Sequence, residues 1–192
     1  MNKLESKLIH DIARKLSDFE YLQEIVYNSD NYIQFEGKVL NPFDQLYLSN
    51  GLPSLCVLFG ELSEHYPDED WDLIGHEYIK KIGEELSERG SNSLSLFYGL
   101  AGIGLGALCL SKEGERYQGF IQGINALINN QLGDLVDHLR QKKQLNMEDY
   151  DAISGISGIF NYCILSPDIF EENIKKILEY IIHISQEKKV GG

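Results

Sequence analysis

LFYGLAGIGLGALCL, residues 96–110, decides the fold, because it is one of three related stretches. LSNGLPSLCVLFG begins at Leu48 and AISGISGIFNYCIL at Ala152. Their first glycines, Gly51, Gly99 and Gly155, are 48 and 56 residues apart. A second glycine follows three residues later at Gly102 and Gly158, and Ser54 takes that place in the first copy. Self-similarity at this period indicates a stack of similar supersecondary units.

Working outward, each motif reads as a glycine loop that opens a strongly apolar helix, followed by an amphipathic helix. After the first motif comes Trp71–Glu88, with Trp71, Ile74, Tyr78, Ile82 and Leu86 on one face. Pro67 and the acids Asp68, Glu69 and Asp70 suit a helix N-terminus, where the macrodipole favours negative charge. After the second comes Glu115–Asn130, with Phe120, Ile124, Leu127 and Ile128 on one face, and then a shorter helix over Asp134–Lys143. After the third comes Asp168–Gln186, with Asp168 as N-cap and Glu171 as its capping-box partner. Its predicted buried stripe is Ile174, Ile177, Leu178, Ile181 and Ile182.

One helix of each pair is apolar nearly all round and belongs inside; the other is apolar on one side and belongs outside. The fold class is therefore all-α. Alternating inner and outer helices at this period describe an α/α toroid or barrel, here an incomplete half, with a helical solenoid as the close competitor. Ahead of the repeats, residues 3–28 carry Leu4, Leu8, Ile12, Leu16, Phe19, Leu22 and Val26 at helical spacing. Tyr32–Leu40 alternates weakly around Glu36-Gly37, as in a short hairpin or an irregular loop. The predicted organisation is one continuous domain: an N-terminal helix and connecting segment over 1–47, three helix pairs over 48–186 and a tail over 187–192.

The motif glycines can serve tight packing and a positive-φ turn before each helix, or direct ligand contact. They are not a phosphate loop: GxxxxGK[ST] is missing, and no strand leads into Gly99.

Composition excludes other classes. With 17 Lys and Arg against 30 Asp and Glu, the formal net charge is −13. That opposes binding to nucleic acid and to anionic membrane surfaces. The N-terminal MNKLESKLIHDIARKL has charges throughout and is not a signal peptide. The longest apolar stretch, Leu94–Leu110, is 17 residues long and glycine-rich. A bilayer span needs ~20, so this stretch reads as a glycine loop and a buried helix. Cys56, Cys109 and Cys163 each lie inside an apolar segment, outside any CxxC, and read as reduced buried thiols. His10, His65, His76, His138 and His183 are scattered as surface or helix-face residues.

LFYGLAGIGLGAL and YDAISGISGIFNY, preceded by LSNGLPSLCVLF, resemble the lanthionine synthetase C family over about residues 45–185. YDxISGxSG is the specific part; the bare GxxG pairs are not. The resemblance implies an α/α toroid. It also implies a lantibiotic cyclase, which activates cysteine thiols of a precursor peptide on one zinc ion. Each thiolate adds to a dehydroalanine or dehydrobutyrine and forms a thioether ring. A thiol titrates near ~8.5 unperturbed, and metal coordination makes it a thiolate at neutral pH.

The family's zinc ligands are two cysteines and a histidine in a C…CH arrangement. This sequence has no such pair, so no metal or cofactor residue is assigned, and zinc is expected only in a complete protein. The chain reads as the N-terminal half of a cyclase, inactive alone. The one site residue carried over is Asp151 of YDAISG, which matches a family aspartate near the zinc that handles protons with a histidine. From the residues alone, Asp151 directly precedes an inner helix and is equally an N-cap or first-turn acid.

The implied partners are a dehydrated, cysteine-containing precursor peptide and a lantibiotic dehydratase. The implied location is cytoplasmic, either free or peripheral to a membrane-associated biosynthetic complex. The alternative function is a non-catalytic helical module that binds the precursor peptide or a partner enzyme. A toroidal sugar enzyme would need paired catalytic carboxylates, and Asp149 with Asp151 is the only near-match.

Overall fold

The computed structural model describes residues 3–187, and within them the chain is helical apart from loops and one hairpin. The N-terminal segment forms α1 (Lys3–Leu16) and α2 (Phe19–Val26). The single predicted helix is broken at Asp18, which turns extended and accepts the Tyr21 N–H at 3.1 Å. The predicted stripe is also rotated in α1: Leu8 and Ile12 are exposed, and Ala13 is buried. Tyr32–Leu40 resolves as a hairpin of β1 (Ile33–Phe35) and β2 (Lys38–Leu40), antiparallel, with Gln34 opposite Val39. Its two-residue turn, Glu36-Gly37, has positive φ at both positions, as tight hairpins with right-handed twist require.

The repeats follow. Inner helices are α3 (Leu52–His65), α5 (Leu100–Cys109) and α8 (Ile156–Cys163). Gly51, Gly99 and Gly155 each stand immediately before one of them, as the spacing predicts. Outer helices are α4 (Trp71–Arg89), α6 (Gln118–Gln141) and α9 (Pro167–Glu187). A one-turn helix, α7 (Met147–Tyr150), lies between α6 and α8. Within the inner layer α3 packs on α5 and α5 on α8, and each inner helix packs on the outer helix that follows it.

The first pair holds the N-terminal helix by aromatic and ionic contact. Phe59 stacks between Trp71 and Tyr78 at 6.0 and 5.5 Å. The Arg14 guanidinium lies 3.8 Å over the Trp71 ring and pairs with Glu69 and Asp70. The Tyr78 hydroxyl donates to the Leu16 carbonyl at 2.5 Å.

Two outer helices differ from expectation. α6 does not break near Gly133, because Ile121, Ile124, Ile128, Leu132, Val136 and Leu139 form one unbroken buried stripe. Asn129 also clamps α9, its side-chain oxygen accepting from Asn173 at 2.7 Å. α9 starts at Pro167, a favoured first helical residue, so Asp168 sits in the first turn and not at the cap. Its buried face is Phe170, Asn173, Ile177 and Tyr180, while Leu178 and Ile182 are exposed. Helical periodicity fits two neighbouring faces in that segment, and the packing of α6 and α8 selects one. The tail predicted over 187–192 lies, from residue 188 on, outside the described residues.

The first glycines are extended, with φ of −146°, −159° and −91°, so the positive-φ turn is not their role. They supply space. A Cβ on Gly155 would lie 2.5 Å from the Asp151 nitrogen, and one on Gly51 would lie 2.7 Å from the Tyr47 oxygen. The second glycines join one repeat to the next. A Cβ on Gly102 would lie 2.8 Å from Cβ of Leu48, and one on Gly158 would lie 3.0 Å from Cβ of Leu96. Leu48 and Leu96 occupy the same motif position, so each leucine fills the gap left by the glycine of the next repeat. Ser54 receives no such leucine from a preceding motif among the described residues, and its hydroxyl donates to the Gly51 carbonyl at 2.7 Å.

Gly102→Leu and Gly158→Leu should each destabilise the fold by ~1–3 kcal/mol or more, since overpacking forces helices apart. Ser54→Ala should cost less. Thermal melts of the three variants are the check; Gly102→Leu and Gly158→Leu should melt well below the parent.

Candidate functional site

The N-terminal ends of α3, α5 and α8 gather the three motif loops into one surface. Backbone hydrogen bonds tie these loops at equivalent positions. The Ser49 N–H donates to the Phe97 carbonyl at 3.2 Å, and the Phe97 N–H donates to the Ile153 carbonyl at 3.3 Å. Ser49, Phe97 and Ile153 each stand two residues before a first glycine, so the three loops lie in register. Tyr47 and Tyr98 meet edge to face at 5.4 Å on adjacent loops. Arg89 clamps the first loop with a two-pronged ion pair to Asp44.

Asp151 lies in the third loop. It is not the N-cap of α8, a place that Gly155 holds; it is the C-cap of α7. Its Oδ1 accepts from the N–H groups of Ile153, Ser154 and Gly155 at 3.0, 2.7 and 2.8 Å. Those donors hold its carboxyl below the usual carboxylate range, with the Gly155 N–H contributing most. All three bonds fall on Oδ1, which leaves Oδ2 for other partners. Ser95, at the same motif position in the second loop, accepts the Tyr98 N–H at 3.0 Å. Closing the loop is thus a task of this position in the second and third motifs, which a serine performs with one bond. Asp151 adds two more bonds and a negative charge.

Nearby, Asp149 is held low although burial acts against it; Lys142 at 2.6 Å and the Asn146 N–H offset that burial. Tyr150 lines a cleft of about 770 Å³ between the C-terminal part of α6, the segment after it and α9. The sequence did not single out that cleft, because its walls come from segments far apart in the chain.

The thiols are elsewhere. Cys56 and Cys163 are buried in helix bodies, and all three cysteines are unpaired. Burial pushes the Cys163 thiol up to about 12 and raises Cys56 and Cys109 as well. None is poised as a nucleophile or metal ligand at neutral pH. His10 contacts Glu69 at 3.0 Å, and His76 meets the Tyr117 hydroxyl at 3.2 Å. Among the described residues no group of three or more His, Cys, Asp or Glu could hold a metal ion. The residues present therefore do not fit the zinc site that the sequence resemblance implies. Among the described residues no helix is long and apolar enough to cross a membrane.

The model of the lanthionine synthetase C-like protein family matches residues 42–192. The chain belongs to that family. It is 29% identical over 146 residues to the nisin biosynthesis protein NisC of Lactococcus lactis subsp. lactis, covering 76% of this chain and 35% of that protein. Among solved structures, a nisin cyclase matches with a TM-score of 0.68 and 24% identity, covering 93% of this chain and 40% of that one. This places the three helix pairs in the α/α toroid fold of that cyclase. The chain thus spans between a third and two fifths of the length of these relatives.

Asp151→Ala should lower the melting temperature at neutral pH, and the deficit should shrink in acid. The sign follows from a depressed carboxyl. Its stabilisation is present above the unfolded value near ~3.9 and is lost as pH falls through the lower folded value. Melts of parent and variant at pH 7 and at pH 2 test this.

Proposed function

We propose that this chain supplies the N-terminal part of a lantibiotic cyclase-like protein. In that reading, a cysteine thiol of a dehydrated precursor peptide adds to Cβ of a dehydroalanine or dehydrobutyrine. A C–S bond forms, the double bond is consumed, and the proton lost by the thiol is balanced by one delivered to Cα. Family membership supports the reaction class, and Asp151 in YDAISG is the observation that carries it to a residue. A zinc ion, when bound, would supply thiol activation; its ligands would come from a C…CH segment that this chain does not provide.

The geometry favours a particular role for Asp151. A carboxyl held low by three N–H donors is ionised at neutral pH and is a weak base. It suits holding and orienting a proton-carrying group through Oδ2, such as an imidazolium, better than relaying the proton itself. The loop register sets where that charge stands, at the end of the inner layer where all three motif loops meet.

A second reading is a helical module that binds the precursor peptide or a dehydratase without chemistry. What favours it is the cleft of about 770 Å³ between α6 and α9, which offers a binding surface apart from the motif loops.

Asp151→Asn separates the two tasks of this residue, since an amide oxygen still accepts the three loop N–H groups. In a polypeptide that carries these repeats together with a C…CH zinc segment, Asp151→Asn should keep the parent's fold and, at neutral pH, melt below the parent by less than Asp151→Ala does, since only the charge-dependent part of the loop stabilisation is lost. Thioether formation should fall by ~10²-fold or more. Mass spectrometry of the peptide after thiol alkylation reads the result. Unchanged ring formation removes Asp151 from the reaction and favours the binding module.

A further inference from the structure

The cleft beside α9 holds an unmet hydrogen-bond donor and, at its exposed edge, a lysine without a carboxylate partner among the described residues. Tyr180 lines it and is 1% exposed, and the Tyr180 hydroxyl has no hydrogen-bond partner among the described residues. Buried polar groups are nearly always paired, so an orphan phenol at a cleft wall indicates a missing acceptor. Arg140, Lys142 and Lys143 line the same cleft, on a chain whose net charge is −13. Arg140 is paired with Glu179 at 3.1 Å and Lys142 with Asp149 at 2.6 Å. Lys143 has no carboxylate partner among the described residues. Leu145 and Ile184 add apolar wall.

We propose that this cleft binds an acidic side chain of the precursor peptide, with the carboxylate accepting from Tyr180 and Lys143 and a neighbouring apolar residue lying on Leu145 and Ile184. The peptide's identity rests on the cyclase reading; the carboxylate chemistry does not. A volume of about 770 Å³ suits a short peptide segment, since ligand pockets run to ~300–1,000 Å³. Burial, helped by Asp149, raises the Tyr180 phenol, so it stays a donor at neutral pH. Tyr150 also lines the cleft, directly before Asp151 in the chain. A peptide anchored there would run toward the loop surface that carries Asp151.

The test is fluorescence anisotropy with the 192-residue chain and fluorescein-labelled octapeptides centred on Asp-Leu, Asn-Leu or Lys-Leu. None of the peptides contains cysteine or a dehydrated residue. The Asp-Leu peptide should bind at least tenfold more tightly than the other two, and added salt should weaken it. Lys143→Glu should abolish this preference. Tyr180→Phe should weaken Asp-Leu binding by about tenfold, the scale of one hydrogen bond to a charged group, with an unchanged circular dichroism spectrum. Equal binding of all three peptides, no binding, or binding that neither variant alters would overturn the proposal. Such a failure leaves the cyclase reading standing, because ring formation is read by Asp151→Asn. Conversely, selective binding would survive the loss of that reading.

Discussion

A leucine of one repeat occupies the space where the next repeat has no side chain. Leu48 against Gly102 and Leu96 against Gly158 are the same contact made twice. Any Cβ at either glycine would also overlap a carbonyl of its own loop. Close packing leaves no slack for such an atom, so the contact fixes both the separation and the phase of successive inner helices. The inner layer continues the same economy. Gly60 of α3 lies against the Cys109 carbonyl of α5, and Gly104 of α5 makes room for the Tyr162 ring of α8. Tyr162 in turn donates to the buried Asn125 on α6 at 2.6 Å, which ties the inner layer to the outer.

Once the inner helices are in phase, their leading loops fall into line, and Ser49, Phe97 and Ile153 join through their backbones. That line gives Asp151 its position. The loop must curl tightly to bring three N–H groups onto one carboxylate oxygen, and Gly155 permits the curl because a side chain there would strike the Asp151 and Tyr150 nitrogens. One glycine thus serves both the start of a helix and the orientation of an acidic group. Structure and chemistry compete for the same residue: Ser95 closes its loop without a charge, so the carboxylate at 151 exceeds what loop closure needs.

Much of this was legible in the sequence, for a physical reason. A contact repeated at each motif leaves the same small residue at the same offset, so Gly51, Gly99 and Gly155 marked the helix starts. The aspartate of YDAISG could be placed beside one of them. Features set by a single tertiary environment left no such trace. Tyr180 and Leu178 both fit a helical stripe, and only the docking of α6 decides that Tyr180 goes inward. The two helices read over Glu115–Asn130 and Asp134–Lys143 are one, because the buried stripe from Ile121 to Leu139 outweighs the poor helix propensity of Gly133. Of the two structural roles that glycine offers, close approach holds at the motif glycines and positive φ does not, a choice that the letter alone does not make. The cleft lined by Lys143 and Tyr180 joins segments about forty residues apart in the chain, beyond the reach of local pattern.

The register of the motif loops is the claim on which the rest stands, and amide hydrogen exchange measures it directly. If Leu48 and Leu96 lock successive repeats, the Ser49 and Phe97 amides are held by carbonyls of the next loop. They should then exchange as slowly as amides inside α3 and α5, although both lie in loops. Gly102→Leu should release Ser49, and Gly158→Leu should release Phe97. Exchange of the parent's Ser49 and Phe97 amides at the rate of an unprotected loop would contradict the register and, with it, the placement of Asp151.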